Sequence, residues 1–207
     1  MIYLSDDYLT KYSDTLSYLL SRSYSEGYSF DYIQKTIAYS TAINELERSN
    51  VTSIAFSSFE KIYNDIFPQY DNNFVFDGYD MFGWSGYIYI HLFLKMNITF
   101  EALFFLIPIK DMLNLYHLYH EMDISQIEEY ASNKLEYTML DIVMKTLNIS
   151  TNKLSKMTDI PSSTITSLRY KKRDIAKLEA NKLCKLAIAL NVKMETLLPS
   201  IYLFCSN

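Results

Sequence analysis

The chain has 207 residues, of which 49% are hydrophobic and 21% are charged, a balance that excludes a disordered or low-complexity protein. Its formal charge of −5 is divided unevenly: residues 134–207 carry twelve basic and six acidic side chains, a net +6, which leaves −11 on residues 1–133. Four Gly and four Pro are too few for the turns of a β-sandwich or barrel, so the composition predicts an all-α fold.

Helical patterns follow one another along the N-terminal part of the chain. Apolar residues recur at helical spacing between Ser, Thr and Pro residues that are typical of helix ends. The predicted helices cover residues 6–23, 29–50, 58–66, 82–96, 99–107, 111–122 and 125–134. Ser57 or Ser58 is the expected cap of the third, and Pro108 ends the fifth. The helix over 82–96 is apolar nearly all round and belongs in the middle of a bundle, and residues 71–80 are predicted to form a loop.

Aromatic residues make up 15% of the chain, with nineteen Tyr and twelve Phe. Such side chains fill a core while keeping a polar edge, or form a contact face, and the composition leaves both uses open. We therefore expect residues 1–130 to form an acidic, aromatic-rich helical domain that binds a partner protein or a second copy of the chain.

The C-terminal part, residues 134–207, has a different pattern. A helix over 139–147 is followed by a short helix that begins at Ser150 or Thr151, a turn at residues 159–161, and a helix over 162–169 with Ile165 and Leu168 facing inward. Two further helices are predicted over 180–190 and 194–198. Two short helices across a three-residue turn, with a polar outer face on the second, predict a helix-turn-helix.

The spaced hydrophobic residues of this part carry a family resemblance. They are Leu154 before the small Ser155, Ile160 in the turn, the pair Ile165 and Leu168, and the run 186–198. About a third of the chain resembles the five-helix domain of the Cro and phage-repressor type, also called the xenobiotic-response-element-like family. Asp159 and Lys171 stand where that family usually has Gly, and Asp tolerates the left-handed conformation better than most residues.

The resemblance implies binding to double-stranded DNA, with the helix over 162–169 in the major groove. Ser162, Ser163 and Ser167 are then expected to face base edges, because hydroxyl groups donate or accept there. Lys and Arg side chains and helix N-termini bind phosphate. The expected phosphate contacts are Thr151, Asn152, Arg169, Lys171, Lys172, Arg173 and Lys177. A single unit offers few phosphate contacts, so we expect a homodimer.

Three functions remain open at this stage. The first is a sequence-specific transcriptional regulator, such as an antitoxin or a mobile-element repressor, whose N-terminal domain holds a toxin or another partner. The second is a protein-interaction module or inhibitor that does not depend on DNA. The third is a metal-dependent enzyme around His117, His120 and Glu121, although their spacing is not that of the zinc-protease motif. No phosphate-binding glycine loop or catalytic triad is indicated, so we expect neither an enzyme, nor a metal, nor a cofactor.

The compartment is predicted from two further features. Two cysteines, Cys184 and Cys205, cannot cross-link a fold of this size, and the N-terminus lacks the pattern of a secretory signal. The most apolar stretch, residues 86–109, is interrupted by His91, Lys95 and Glu101, whereas a membrane span needs about 20 nearly uninterrupted apolar residues. We expect a cytoplasmic protein without membrane contact.

Overall fold

The computed structural model describes residues 6–48, 54, 56–67 and 81–198, and within these ranges the fold is all-α, as predicted. The predicted loop at 71–80, Cys205 and the rest of residues 199–207 lie outside the described residues. The N-terminal part comprises α1 (Asp6–Ser25), α2 (Phe30–Ala38), α3 (Thr41–Glu47), α4 (Phe59–Ile66), α5 (Met81–Met96), α6 (Phe100–Leu106), α7 (Ile109–Tyr119) and α8 (Ile124–Lys134). The C-terminal part comprises α9 (Met139–Thr146), α10 (Thr151–Thr158), α11 (Ser162–Arg169), a 3₁₀ turn (Ile175–Lys177), α12 (Ala180–Leu190) and α13 (Met194–Leu197).

Several helices begin where the sequence places a cap. Ser29 accepts a hydrogen bond from the backbone N–H of Tyr32, and Ser58, rather than Ser57, caps α4. Ser150, rather than Thr151, caps α10 by accepting from the N–H of Lys153. Each cap satisfies an N–H group that has no partner within its own helix.

The predicted helix over 29–50 is wrong in one respect, because the structure divides it into α2 and α3. Ser40 adopts an extended backbone between them. Its hydroxyl donates to the carbonyl of Ile37 at 2.8 Å and accepts from the N–H of Ile43 at 3.3 Å. A serine that bonds to nearby backbone groups in this way competes with the helical hydrogen bonds and starts a new helix.

The apolar helix α5 lies in the middle of the N-terminal bundle, as predicted, and packs along α1. Tyr89 and Leu92 are fully buried, and the Tyr89 hydroxyl donates to the carbonyl of Ile107 at 2.8 Å. Gly86 lies against Ser13 and Ser17 of α1, and a Cβ built on it falls 2.7 Å from the Ser13 carbonyl oxygen and 2.8 Å from the Ser17 backbone nitrogen. The absence of a side chain at Gly86 therefore sets the distance between the two helices.

No single helix among the described residues is long and apolar enough to cross a membrane. The pair α5 and α6 meets the requirements of length and composition only when both are counted together across a bend of 111°.

Buried aromatic residues fill the core, which is one of the two uses left open by the composition. Tyr18 and Tyr63 are buried around the guanidinium of Arg22, which donates to the Tyr18 hydroxyl oxygen at 2.8 Å and pairs with Glu26 at 3.0 Å. The Tyr63 hydroxyl donates to the second oxygen of Glu26 at 2.5 Å. Other aromatic side chains are exposed by at least two fifths of their surface: Tyr24, Tyr32, Tyr39, Phe56 and Tyr87.

A buried polar network joins the two parts of the chain. Glu101 of α6 is 6% exposed, and its Oε2 accepts from the N–H of Lys193 at 2.8 Å and from the hydroxyl of Thr196 at 2.5 Å. The Lys193 Nζ donates to the carbonyl of Ala38 at 2.7 Å and pairs with Glu47 at 3.3 Å. Burial raises the pKa of Glu47, against the opposing effects of Lys193 and of its hydrogen bond from a backbone N–H. We call Glu47, Glu101, Lys193 and Thr196 the interface network.

Replacing Gly86 by Ala tests the close contact of α1 and α5. We expect Gly86→Ala to lower the free energy of unfolding by about 1–3 kcal/mol, the usual range for overpacking, as measured by urea denaturation. Adding Ser17→Ala should not restore stability, because the backbone atoms of α1 remain in the way. Asn114→Ala on the exposed face of α7 is the control. Unchanged stability of Gly86→Ala would contradict this packing.

Candidate nucleic-acid interface

The helix α11 presents a polar face to solvent. Ile165 and Leu168 are buried at 0% and 1% exposure, which confirms the predicted inward face. Ser163 and Thr166 are exposed, whereas Ser162 and Ser167 are half-buried. The Ser167 hydroxyl donates to the carbonyl of Ser163 at 2.8 Å, so its oxygen still has lone pairs for a further donor. The contacts of α11 with other helices are chiefly with α10 and α9 of its own part.

The turn between α10 and α11 is fixed by local hydrogen bonds. Asp159 ends α10 with φ of 57°, the left-handed conformation that its residue type predicts. The Ser155 hydroxyl donates to the carbonyl of Ile160 at 2.6 Å, and Ile160 is buried. The Ser155 side chain therefore stabilises the turn through a hydrogen bond.

A buried ion pair fastens α11 to α9. Asp141 is 1% exposed, and its Oδ1 accepts from the Arg169 guanidinium at 2.6 and 2.7 Å. Its Oδ2 pairs with Lys145 at 2.8 Å. Burial alone raises the pKa of the Asp141 carboxyl, but the hydrogen bonds and charges of Lys145 and Arg169 outweigh this effect and hold the pKa below its usual value. Arg169 thus has a structural partner inside the domain.

The same guanidinium reaches the start of α10. Arg169 donates to the Thr151 hydroxyl at 2.6 Å, and Ser162 donates to the Asn152 side-chain oxygen at 3.3 Å. These contacts bring four of the predicted site residues together, two from each helix. They also set the spacing between the N-terminus of α10 and both ends of α11.

The remaining predicted cations lie after α11 and are exposed. Lys172, Arg173 and Lys177 form no side-chain hydrogen bond or ion pair with any residue in the described part of the chain. Lys171 has φ of 56° and donates from its Nζ to the carbonyl of Leu135 at 3.0 Å. Lys177 belongs to the 3₁₀ turn, outside the pair of helices. Three positive charges are therefore available to an anion beside α11.

Sequence reasoning passed over Tyr170, which follows α11 directly. Its side chain is 59% exposed, and its ring centre lies 5.6 Å from the guanidinium carbon of Arg169. Tyrosine hydroxyls bind phosphate in protein–DNA complexes. The sequence contains a signal for such a contact. Tyr170 stands between Arg169 and Lys171 at the end of the predicted helix over 162–169.

His117 in the last turn of α7 and His120 directly after this helix both lie beside the ring of Tyr116. His120 Nδ1 lies 2.8 Å from the carbonyl oxygen of Tyr116, and the two rings stack at 4.4 Å between centres. His120 Nε2 is 3.6 Å from Glu121, and His117 is exposed. No group of three or more His, Cys, Asp or Glu side chains able to hold a metal ion occurs within the ranges that the structure describes.

Comparison with known families agrees with this geometry. Residues 139–200 match the family of Cro/C1-type HTH DNA-binding domains. The C-terminal part of the chain is a Cro/C1-type helix-turn-helix domain. The residues before it match no family, and neither a curated protein nor a solved structure matches the chain. The Cro/C1-type domain supports a role for the chain as a DNA-binding regulator.

Replacing Asp141 by Asn tests the ion pair that fastens α11. Removing one partner of a buried pair leaves the other charges uncompensated, and we expect a loss of about 3 kcal/mol at pH 7, measured by chemical denaturation. Lys145→Met is the control, because Lys145 is 59% exposed and should cost far less.

The pH dependence of that loss follows from the lowered pKa of Asp141. A carboxyl whose pKa is lower in the folded state stabilises the fold above its unfolded value of about 3.9. This contribution is lost as the pH falls through the folded-state pKa. The difference in stability between the parent protein and Asp141→Asn should therefore shrink as the pH falls from 5 toward 2. A difference that stays constant would contradict the ion pair.

Proposed function

We propose that the chain is a sequence-specific regulator of transcription that binds double-stranded DNA as a homodimer. The observation that carries this proposal is the exposed polar face of α11 beside the exposed cations Lys172, Arg173 and Lys177, which form no ion pair within the described residues. A helix of this kind fits the major groove, and cations at its end neutralise phosphates on either side of the groove.

The residues have separate tasks in this proposal. Ser162, Ser163 and Ser167 meet base edges, and Thr166, which is exposed on the same helix, adds a methyl group that can contact thymine. Thr151 and Asn152 approach a phosphate at the N-terminus of α10, where backbone N–H groups favour an anion. Arg169 acts chiefly by positioning these groups, since Asp141 and Thr151 already hold its guanidinium.

The uneven distribution of charge supports an orientation in which the C-terminal part, and not the N-terminal bundle, faces DNA. Residues 1–133 carry a net −11 and residues 134–207 a net +6. A polyanion is attracted to the second part and repelled by the first, so nonspecific contacts through the N-terminal bundle are disfavoured.

The N-terminal part is proposed to bind another protein. Its exposed aromatic side chains support this role, because aromatic residues are enriched in interfaces. An antitoxin that represses its own operon or a mobile-element repressor would combine the two activities. A small toxin-like gene beside this gene, and inhibition of its product by this chain, would support the antitoxin role. A pure interaction module is the outcome if DNA binding fails the test below.

The DNA proposal is tested by replacing Lys172, Arg173 and Lys177 together by Ala. We expect weaker binding to all duplexes in gel-shift titrations with the DNA upstream of the gene. The slope of log K against log salt should become shallower by about 5 for the homodimer, because each phosphate contact contributes about 0.9 and three contacts are lost from each protomer. Lys35, Arg48 and Lys110 are exposed cations of the N-terminal part, and their joint replacement by Ala makes the same change in net charge as a matched control.

Ser163→Ala forms the second arm of this experiment. It should alter the preference among duplexes that differ at one base pair while leaving the salt slope unchanged. Equal loss of affinity in the triple variant and its control would mean that net charge, and not this surface, determines binding. Binding that the triple variant retains in full would remove the proposed phosphate contacts.

The homodimer is tested by sedimentation of the protein with the same duplex. We expect two protomers for each specific duplex, because one domain makes too few phosphate contacts for tight binding at physiological salt. Two half-sites centred about one helical turn or a multiple apart should be protected in footprinting. A stoichiometry of one at saturation would contradict the dimer.

A further inference from the structure

A cavity of about 390 Å³ lies where the N-terminal bundle meets the helix-turn-helix domain. Its walls come from α2 and α6 on one side and from the C-terminal ends of α9 and α12 on the other. The volume lies within the usual range of about 300–1,000 Å³ for small-molecule sites, which occur preferentially where domains meet. A molecule in this cavity contacts both parts of the chain.

The α2 wall of the cavity is one face of that helix. Asp31, Gln34, Lys35 and Ala38 are spaced at i, i+3, i+4 and i+7, so they follow one another along the same side. Asp31 and Lys35 are exposed, and neither side chain forms an ion pair or a hydrogen bond with another residue in the described ranges. Side chains at i and i+4 start about 5–6 Å apart. Two opposite charges therefore lie side by side at the edge of the cavity, and both are open to solvent.

Gln34 adds a hydrogen-bond donor to the same face. Its Oε1 accepts from the backbone N–H of Ile109 at 2.7 Å, which fixes the orientation of the side-chain amide because an N–H group requires an acceptor. The Nε2 group has two N–H donors. It forms no hydrogen bond within the part of the chain that the structure describes, and it retains contact with solvent.

The remaining lining is largely apolar. Phe105 and Pro108 are half-buried on the α6 side, and Leu147 is 39% exposed at the end of α9. Phe104 and Leu190 are more deeply buried behind them. A hydrocarbon group placed over the accessible parts of these side chains removes apolar surface from water, which favours binding.

Glu101 also lines the cavity, but its carboxylate already has partners. It is 6% exposed, and its Oε2 accepts from the Lys193 N–H and from the Thr196 hydroxyl. The charged groups that a ligand can reach are therefore those of Asp31 and Lys35. The interface network lies directly beside the cavity, so a ligand there is next to the contact that joins the two parts.

We propose that this cavity binds a free α-amino acid with an apolar side chain. The ammonium group of the ligand pairs with Asp31, and its carboxylate accepts from Lys35 and from the Gln34 amide. The apolar side chain of the ligand covers Phe105 and Leu147. A ligand with both charges on one carbon atom matches the two opposite charges on α2. This inference goes beyond the proposed binding of DNA and of a partner protein and depends on neither.

The chemistry of the lining distinguishes an amino acid from other small molecules. A phosphorylated ligand carries more negative charge than Lys35, the one cation of the described lining, can compensate beside Asp31. A metal ion requires several ligating groups, and the structure describes no cluster of three or more His, Cys, Asp or Glu side chains able to hold one. A purely apolar molecule makes no use of the charged pair.

The test is calorimetric titration of the full-length protein, without DNA, with L-leucine and with L-phenylalanine. We expect at least one of them to bind saturably with one molecule per chain. The Tm should rise with its concentration, because a ligand that binds only the folded protein stabilises it.

Matched probes separate the contributions of the two charges. The analogues without the ammonium group are 4-methylpentanoate and 3-phenylpropanoate, and those without the carboxylate are 3-methylbutylamine and 2-phenylethylamine. Each analogue should bind at least about tenfold more weakly than its parent amino acid, since it loses a charge-assisted contact. Glycine keeps both charges without the apolar side chain and should also bind at least about tenfold more weakly.

Two variants assign the contacts to α2. Asp31→Asn and Lys35→Met should each weaken binding of the amino acid by about tenfold or more. Lys35→Met should leave binding of the amine analogue within about twofold, because that probe has no carboxylate. Lys110→Met is the control, because Lys110 is an exposed cation outside the cavity lining. Circular dichroism and an unchanged Tm without ligand show that each variant is folded.

Three outcomes overturn the proposal: no saturable binding of either amino acid, equal affinity for an analogue that lacks one charge, and unchanged affinity in Asp31→Asn or Lys35→Met. The DNA experiment is independent of these results, because Lys172, Arg173 and Lys177 do not line the cavity. Failure of this proposal is therefore distinguishable from failure of the proposed DNA binding.

Discussion

The relation between the two parts of the chain depends on the interface network. Lys193 brings a positive charge to Glu47, and Glu101 accepts from the backbone at the start of α13. The helix α13 has four residues, far fewer than an isolated helix needs. The last helix of the Cro/C1-type domain is therefore completed by the N-terminal bundle. The hydrogen bonds that Glu101 accepts from Lys193 and Thr196 form only when the two parts are packed together.

Long-range caps explain why the sequence predicts the helices better than their assembly. The bounds of α11 and the start of α10 follow from local patterns of apolar residues and from Ser150. Three other N–H groups at helix starts are satisfied from far along the chain: Ile109 by Gln34, Phe100 by Glu47, and Lys193 by Glu101, at separations of 75, 53 and 92 residues. Nothing in the local sequence marks these acceptors, because each is an ordinary polar residue of another helix.

The scarcity of glycine correctly indicated an all-α fold. The chain still makes left-handed turns, and residues other than glycine occupy them. Asn97, Asn148, Asp159 and Asn191 adopt positive φ at the ends of helices, where glycine is the usual residue. Asn and Asp enter this region at lower cost than other side chains. Lys171 adopts it as well, so the two departures from the family's glycines change the residue types and retain the left-handed backbone.

Some cations of the C-terminal part are held in ion pairs and others are not, and the sequence alone does not distinguish the two groups. Arg169 and Lys193 count toward the +6 of residues 134–207, but each is paired with a carboxylate of low exposure. Lys172, Arg173 and Lys177 form no such pairs within the described residues. A sequence alone assigns equal weight to all five, because the partners Asp141 and Glu47 are distant in the chain. Arg169 and Lys193 are therefore held by carboxylates of this chain, whereas Lys172, Arg173 and Lys177 lie together after α11 and are exposed to solvent.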